Sequence, residues 1–260
     1  MPRPNECSAE QSRAWRDHFL ANRLAVHHLP WDDPYKLSGP ERAAIGHSIP
    51  QFQLGEGSHG RRVLKRGLRY STRVNDPYFS RAIYLFIKEE LRHSAHLLRF
   101  MEKQGIPALS KRWVDSVFRY LRGLAGLELS LRVLVTAEII AVPYYRALGR
   151  ATNSPLLRAL CALILADEAV HLHFQASMLR RVASSRFALL ARMASRMHRL
   201  FLIATVCIVW REHRSAFEAA GYRFDRLLKE ALSEFGALDR ASTSQHARDM
   251  REYLRGVCDV

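Results

Sequence analysis

Apolar residues recur at three- and four-residue spacing along almost the whole chain, and no stretch alternates apolar and polar residues with period two. Side chains three and four residues apart share one face of an α-helix, so the pattern predicts an all-α fold. Ala, Leu and Arg, which favour helices, are the dominant residue types. The predicted helices cover residues 9–27, 40–69, 76–104, 112–151, 154–182, 185–219, 222–235 and 240–256.

Local signals account for the breaks between these helices. An N-capping residue followed by Pro favours a helix start, and a glycine just past the last turn favours a helix end. The predicted starts of this kind are Asn75-Asp76-Pro77 and Asn153-Ser154-Pro155. The predicted glycine ends are Gly105, Gly221 and Gly236.

The length of 260 residues and the 48% share of hydrophobic residues are typical of a folded protein with a sizeable core. We expect an N-terminal extension at 1–38, a helical bundle at 39–219 and C-terminal helices at 220–260 packed on the same domain. The formal net charge of +15 indicates an anionic partner, either nucleic acid, a membrane surface or an acidic protein.

The four cysteines, at positions 7, 161, 207 and 258, form no CxxC pair and suggest neither a disulfide scaffold nor a zinc cluster. The first residues lack the apolar segment of a signal peptide. The longest apolar run, 200–210, has 11 residues, too few to span a bilayer, and predicts a buried helix segment. We therefore expect a cytoplasmic protein without a membrane partner.

Glu-x-x-His occurs three times, more often than chance favours. The instances are Glu56 with His59, Glu90 with His93 and Glu168 with His171. On a helix, residues three apart point to one side, so each pair could grip one metal ion. The two later pairs lie in apolar stripes, as does the isolated Glu138, where an unneutralised charge would be costly.

The spacing of the acids places them at matching heights. Glu138 and Glu168 are 30 residues apart, with their midpoint in the turn at 152–155. Glu56 and Glu90 are 34 apart, with their midpoint in the connection at 71–77. Because an α-helix rises evenly, two antiparallel hairpins would bring four Glu and two His to the middle of a four-helix bundle.

This is the ligand pattern of a dinuclear site, with a Glu from each of two helices and Glu-x-x-His from each of two more. Over residues 40–182 the sequence resembles the ferritin-like di-iron carboxylate proteins. The segments Glu89-Glu90-Leu91-Arg92-His93 and Asp167-Glu168-Ala169-Val170-His171 are similar to the (D/E)-E-x-R-H signature of the oxygen-activating branch: desaturases, multicomponent monooxygenases and arylamine N-oxygenases.

The resemblance implies a ferritin-like bundle with extra terminal helices and a centre of two iron ions, with Mn/Fe as an alternative. Its implied ligands are Glu56, Glu90, His93, Glu138, Glu168 and His171. The residues expected around the ligands are Asp167, Arg92, His59 and Tyr145. Glu89 is expected at the surface or paired with a basic residue. Ala141, Val142 and Ile164 replace a Thr and a His that some members carry, so only the broad branch is implied.

The implied function is an oxidoreductase that activates O2 to hydroxylate, desaturate or N-oxygenate an organic substrate. Electrons would come from a ferredoxin or a reductase, since the chain has no flavin or nicotinamide motif. The basic surface could dock such a donor or an acidic carrier protein. A tRNA-modifying di-iron hydroxylase and a ferroxidase or iron-storage protein remain alternatives, and a homodimer is left open.

Overall fold

The computed structural model describes residues 4–57, 60–109, 126–183 and 188–241, and all regular structure within these ranges is helical. The predicted all-α class is therefore confirmed. The helices are α1 (Pro4–Leu24), α2 (Gly39–Ile45), α3 (Ile49–Gly57), α4 (Gly60–Val74), α5 (Pro77–Gln104), α6 (Leu127–Arg150), α7 (Pro155–Ala183), α8 (Ala188–Ala219) and α9 (Phe224–Ala241).

The ends of α5 follow the local signals of the sequence. The side chain of Asp76 accepts hydrogen bonds from the backbone N–H groups of Tyr78 and Phe79, at 3.1 and 3.2 Å. At the other end, Gly105 takes a left-handed conformation with φ of 64°, which glycine adopts without steric cost. Both ends of α5 are thus fixed by the residues that flank it.

Several predicted helix boundaries differ from the structure. The helix predicted at 9–27 is α1, Pro4–Leu24, and two further differences have a local cause. The segment 40–69 is divided into α2, α3 and the first part of α4. Gly46 lies just after α2, and Pro50 lies in the first turn of α3, where its missing N–H is harmless. Gly236 does not end α9, which continues to Ala241. The buried Ala231 and Phe235 hold this helix against the core, outweighing the modest cost of an internal glycine.

Other predicted segments lie partly outside the described residues. The described part of the predicted helix 112–151 begins at Gly126, whose backbone is extended and precedes the first turn of α6, so the prediction of a helix is wrong at this residue. The described part of the predicted helix 185–219 begins at residue 188. Beyond residue 241, the predicted helix 240–256 lies outside the described residues. The longer connection expected between the two hairpins, at 104–112, is described only as far as residue 109.

Helices α6 and α7 form the antiparallel hairpin that the spacing predicts, joined at residues 151–154. Helix α5 packs against α1, α3, α4 and α7. Gly67 lets α4 approach α5 closely, because a Cβ there would lie 2.5 Å from Cδ1 of Ile83. These contacts bring the acid-bearing segments of α3, α5, α6 and α7 together.

Two clusters of buried apolar side chains occupy the interior. One includes Phe86 of α5, Leu134 of α6 and Phe174 of α7. The other continues the same helices in the opposite direction and includes Leu97 of α5 and Ile139 of α6. Each of these helices passes from one cluster to the other at the height of its acids, so a polar layer separates two hydrophobic cores.

Helix α8 is less buried than its sequence predicts. Within the apolar run 200–210, Leu202 and Val206 are buried, whereas Leu200 and Ile208 are exposed. The prediction of a buried segment is therefore wrong for one face, because only the other face packs on α2, α6 and α9. In the described part of the chain, α8 alone is long and apolar enough to cross a membrane, by length and composition, and 22% of its most apolar window is buried.

Candidate metal centre

Four helices each deliver one or two acidic or imidazole side chains to the polar layer. Glu56 comes from the last turn of α3 and Glu138 from the middle of α6. Helices α5 and α7 each contribute a Glu and a His one turn apart. All six side chains are buried, and they are Glu56, Glu90, His93, Glu138, Glu168 and His171.

The six side chains form two overlapping groups, each of which could hold a metal ion. One group consists of Glu56, Glu90, His93 and Glu168, and the other of Glu90, Glu138, Glu168 and His171. Within each group the candidate ligand atoms lie within 4.8 Å of one another. Glu90 and Glu168 belong to both groups, so their carboxylates lie between the two potential ion positions.

The atoms that face the centre are the ones left without hydrogen bonds. Nδ1 of His93, Nδ1 of His171, one carboxylate oxygen of Glu90 and both oxygens of Glu168 are buried and make no hydrogen bond of acceptable geometry, although Nδ1 of His171 lies 2.9 Å from that oxygen of Glu90. Nδ1 of His93 lies 3.8 Å from carboxylate oxygens of both Glu56 and Glu168. Buried polar atoms are normally satisfied, so these convergent unsatisfied atoms fit a missing cation.

The outer nitrogen of each imidazole is held by an acid on the opposite helix. Nε2 of His93 lies 2.8 Å from Oδ2 of Asp167, and Nε2 of His171 lies 3.0 Å from Oε2 of Glu89. A carboxylate next to Nε2 favours the tautomer with its proton there, which leaves Nδ1 free as a ligand. Thus α7 supplies the acid that holds the imidazole of α5, and α5 supplies the acid that holds the imidazole of α7.

Asn22 and Arg92 tie the two outer acids together. The amide of Asn22, near the end of α1, donates to Glu89 and, at 2.9 Å, to Asp167. The guanidinium of Arg92 lies 3.0 Å from Asp167 and 3.5 Å from Glu89, and it also donates to the carbonyl of Asn22. Helix α1 therefore contributes directly to the network behind the centre.

Two further side chains hold the acids of α3 and α6. The hydroxyl of Tyr145 donates to Oε1 of Glu56 at 2.5 Å. The amide of Gln175 donates to Oε1 of Glu138 at 2.6 Å. Each of these two carboxylates therefore has one oxygen oriented by a neighbour, which leaves its second oxygen available to a cation.

Burial and crowding shift the proton affinities of the cluster in opposite directions. Burial raises the pKa of Glu90 well above its usual value, and the nearby charges of Glu138 and Glu56 add to the effect. Burial and the charge of Glu138 likewise raise the pKa of Glu168. Burial alone would lower the pKa of His93, but the hydrogen bond to Asp167 and the nearby Glu56 raise it to about 9. Such mutually shifted groups are typical of functional sites.

A set of buried salt bridges does not account for the four central acids. Among the described residues, no Lys or Arg forms an ion pair with Glu56, Glu90, Glu138 or Glu168. The guanidinium of Arg92 is engaged with the outer acids. The protonated imidazoles of His93 and His171 could balance only two of the four central carboxylates, so the remaining negative charge requires protons or metal ions.

The surroundings of the centre are otherwise apolar. The ring of Phe86 meets that of His171 edge to face, with centroids 4.8 Å apart, and Phe19 of α1 lies 6.0 Å from the same imidazole. Ile164 and Leu172 are buried next to the acids of α7. These walls exclude water from the cluster and strengthen its electrostatic interactions.

The structure brings together every predicted ligand and three of the four residues expected around them. Asp167, Arg92 and Tyr145 contact the cluster, whereas His59 lies outside the described residues. Glu89 is buried and not at the surface, but it is paired with the basic residue Arg92, as the second expectation has it, and it also bonds His171. The sequence contained a signal for this role, since both motifs place an acid directly before the Glu. No comparable signal indicated Asn22 or Gln175.

Comparisons with known proteins add no assignment. No protein-family model matches the chain, and no curated protein or solved structure matches it either.

Proposed function

We propose that the chain is a di-iron oxidoreductase that activates O2 and oxidises an organic substrate, on a ferritin-like four-helix bundle formed by α3 with α4, α5, α6 and α7. The observation that carries the proposal is the pair of ligand groups sharing Glu90 and Glu168. Two carboxylates common to both groups fit a centre of two adjacent ions better than two independent sites.

Charge and ligand type support two divalent cations of the iron class. Four central carboxylates carry four negative charges when ionised, which two divalent ions would neutralise. The donor set is carboxylate oxygen and imidazole nitrogen, and no cysteine belongs to either ligand group, which favours iron or manganese over thiolate-bound metals. Bound iron would supply the one-electron and O2 chemistry that no side chain provides.

The residues of the chain would hold, orient and shield this centre. Asp167 and Glu89 keep Nδ1 of each imidazole directed inward, and Tyr145 and Gln175 fix the acids of α3 and α6. The apolar walls would exclude water and favour an apolar substrate group. Electrons would come from a separate ferredoxin or reductase, for which the basic surface offers a complementary dock.

The test is anaerobic loading of the full-length protein with Fe(II), followed by metal quantification and absorption spectroscopy after mixing with O2. We expect about two iron ions per chain and a transient O2-dependent absorption. Glu138→Gln and His171→Gln should each lower the bound iron to one or fewer. Matched controls are Glu128→Gln on α6, which pairs with Arg132, and His173→Gln on α7, at a half-buried histidine outside both ligand groups.

The outcomes separate the alternatives. Two ions retained by both ligand variants, or no metal bound by the parent protein, would contradict a dinuclear centre. Uptake of many ferric ions per chain would indicate iron storage instead. Reaction with O2 only in the presence of tRNA would indicate a tRNA-modifying enzyme.

A further inference from the structure

The outer face of α8 carries a continuous stripe of exposed apolar side chains. Their exposed fractions range from 39 to 65%. The first four are spaced three or four residues apart, and the fifth lies eight residues further on, which keeps all five on one side of the helix. The stripe consists of Leu190, Met193, Met197, Leu200 and Ile208.

The opposite face anchors α8 to the rest of the molecule. Leu202, Val206 and Phe217 are fully buried there. Two buried polar contacts reinforce the packing: Nε2 of His198 lies 3.0 Å from Oγ1 of Thr136 on α6, and Nδ1 of His213 lies 2.8 Å from Oγ of Ser48. Crossing a bilayer would break these contacts and move their polar groups into hydrocarbon. A helix held in this way can present only its outer face.

The charged residues of α8 are all basic up to Arg211, and its first acid is Glu212. Between residues 188 and 211 there is no Asp or Glu. The Arg residues in this stretch are all exposed, and they are Arg192, Arg196, Arg199 and Arg211. An apolar face bordered by arginines is the pattern of a helix that lies in the plane of a membrane surface and contacts anionic lipid.

A second copy of the chain fits this surface less well. Pairing two α8 helices through the stripe would bring the arginines of one copy near those of the other. No acid within 188–211 could compensate the repulsion. An anionic bilayer supplies both an apolar layer and a complementary charge.

We propose that the outer face of α8 docks on the surface of an anionic lipid bilayer, with the helix parallel to the membrane plane. The inference is independent of the metal centre. It departs from the sequence-based expectation of a protein without a membrane partner.

The experiment is co-sedimentation of the full-length protein with two kinds of vesicle. One consists of phosphatidylcholine alone, and the other contains about 30% of the anionic lipid phosphatidylglycerol. Binding to the anionic vesicles should be about tenfold tighter or more, and raised salt should weaken it. The double variant Met197→Glu/Leu200→Glu should lose this binding. Leu68→Glu on α4, also at an exposed leucine, should keep it.

Helical content by circular dichroism and bound iron should be the same in the double variant and the parent, which excludes misfolding as the cause of lost binding. Equal binding to both vesicle types, or unchanged binding of the double variant, overturns the proposal. So does a stable dimer of the parent protein that the double variant converts to monomer, because a second copy would then cover the face. Binding only to an acidic protein would overturn it as well.

Discussion

Glu89 and Asp167 occupy equivalent positions, each directly before a central Glu and each bonded to the imidazole of the opposite helix. Their contacts decide which nitrogen of each His faces the centre. Because such a partner also raises the basicity of the imidazole, it strengthens the metal bond without touching the metal. Asn22 bridges both acids, so one amide orients both halves of the centre.

The change Asn22→Ala should weaken metal binding by about 10- to 100-fold, the usual effect of losing such a supporting contact. The cause would be looser orientation of Glu89 and Asp167, and through them of both imidazoles. Competitive titration of the apoprotein with Co(II) against a chelator measures the affinity.

Arg23→Ala changes the next residue of α1, which is exposed, and should leave the affinity unchanged. An unaltered affinity of Asn22→Ala would show that Arg92 alone suffices to hold the two acids.

The sequence predicts the height of each acid well because α-helices rise by a constant amount per residue. Equal distances from a turn therefore translate into contact, as for Glu138 and Glu168. The burial of Glu89 could not be predicted in this way. It points about 100° away from Glu90 on its helix, and only the packing of α1 and α7 makes that direction an interior one.

Helix boundaries could be predicted where one strong local signal acts, as at Asp76 and Gly105. They could not be predicted where packing competes with propensity. Gly236 is a helix end by its residue type, but the apolar face of α9 continues past it. Residues 46–48 interrupt a pattern that remains helical on both sides.

The packing of α8 against α6 and α9 predicts a loss of stability in acid. His198 is buried between Thr136, Arg132 and Phe235, and burial followed by the charge of Arg132 lowers its pKa to about 4. The unfolded imidazole takes up its proton near pH 6.5. The contribution of His198 to the free energy of unfolding should therefore be fully present above pH 6.5 and be lost as the pH falls towards 4. The total loss is about 3 kcal/mol.

Urea unfolding at pH 7 and pH 4.5 measures this loss. The variant His198→Gln keeps an N–H donor for Thr136 but does not titrate, so its stability should fall less between the two pH values, by about 2–3 kcal/mol. The variant His173→Gln, at a half-buried histidine, corrects for the loss of a histidine as such. Equal losses in the parent and His198→Gln would contradict the assignment.

On the scale of the whole molecule, the polar layer separates two hydrophobic cores and gathers four acids that repel one another. In the absence of cations, this layer costs stability through desolvation and like-charge repulsion. Two bound cations would convert it into a cross-link between the α3–α5 and α6–α7 halves. Metal binding and folding should therefore be strongly linked.

This linkage predicts that one substitution has opposite effects in two states. Glu138→Gln removes a buried charge from the cluster and keeps the side-chain shape. The apoprotein of the variant should be more stable than the parent apoprotein, by about 1 kcal/mol. With metal present, the order should reverse, because a parent loaded at 100 times its dissociation constant gains about 2.7 kcal/mol and the variant gains less. Thermal unfolding of both proteins with chelator and with Fe(II) under anaerobic conditions measures all four stabilities.

Glu128→Gln, outside the cluster, should show no such reversal. If Glu138→Gln lowered the stability of the apoprotein as well, Glu138 would be a structural residue that the fold requires without metal.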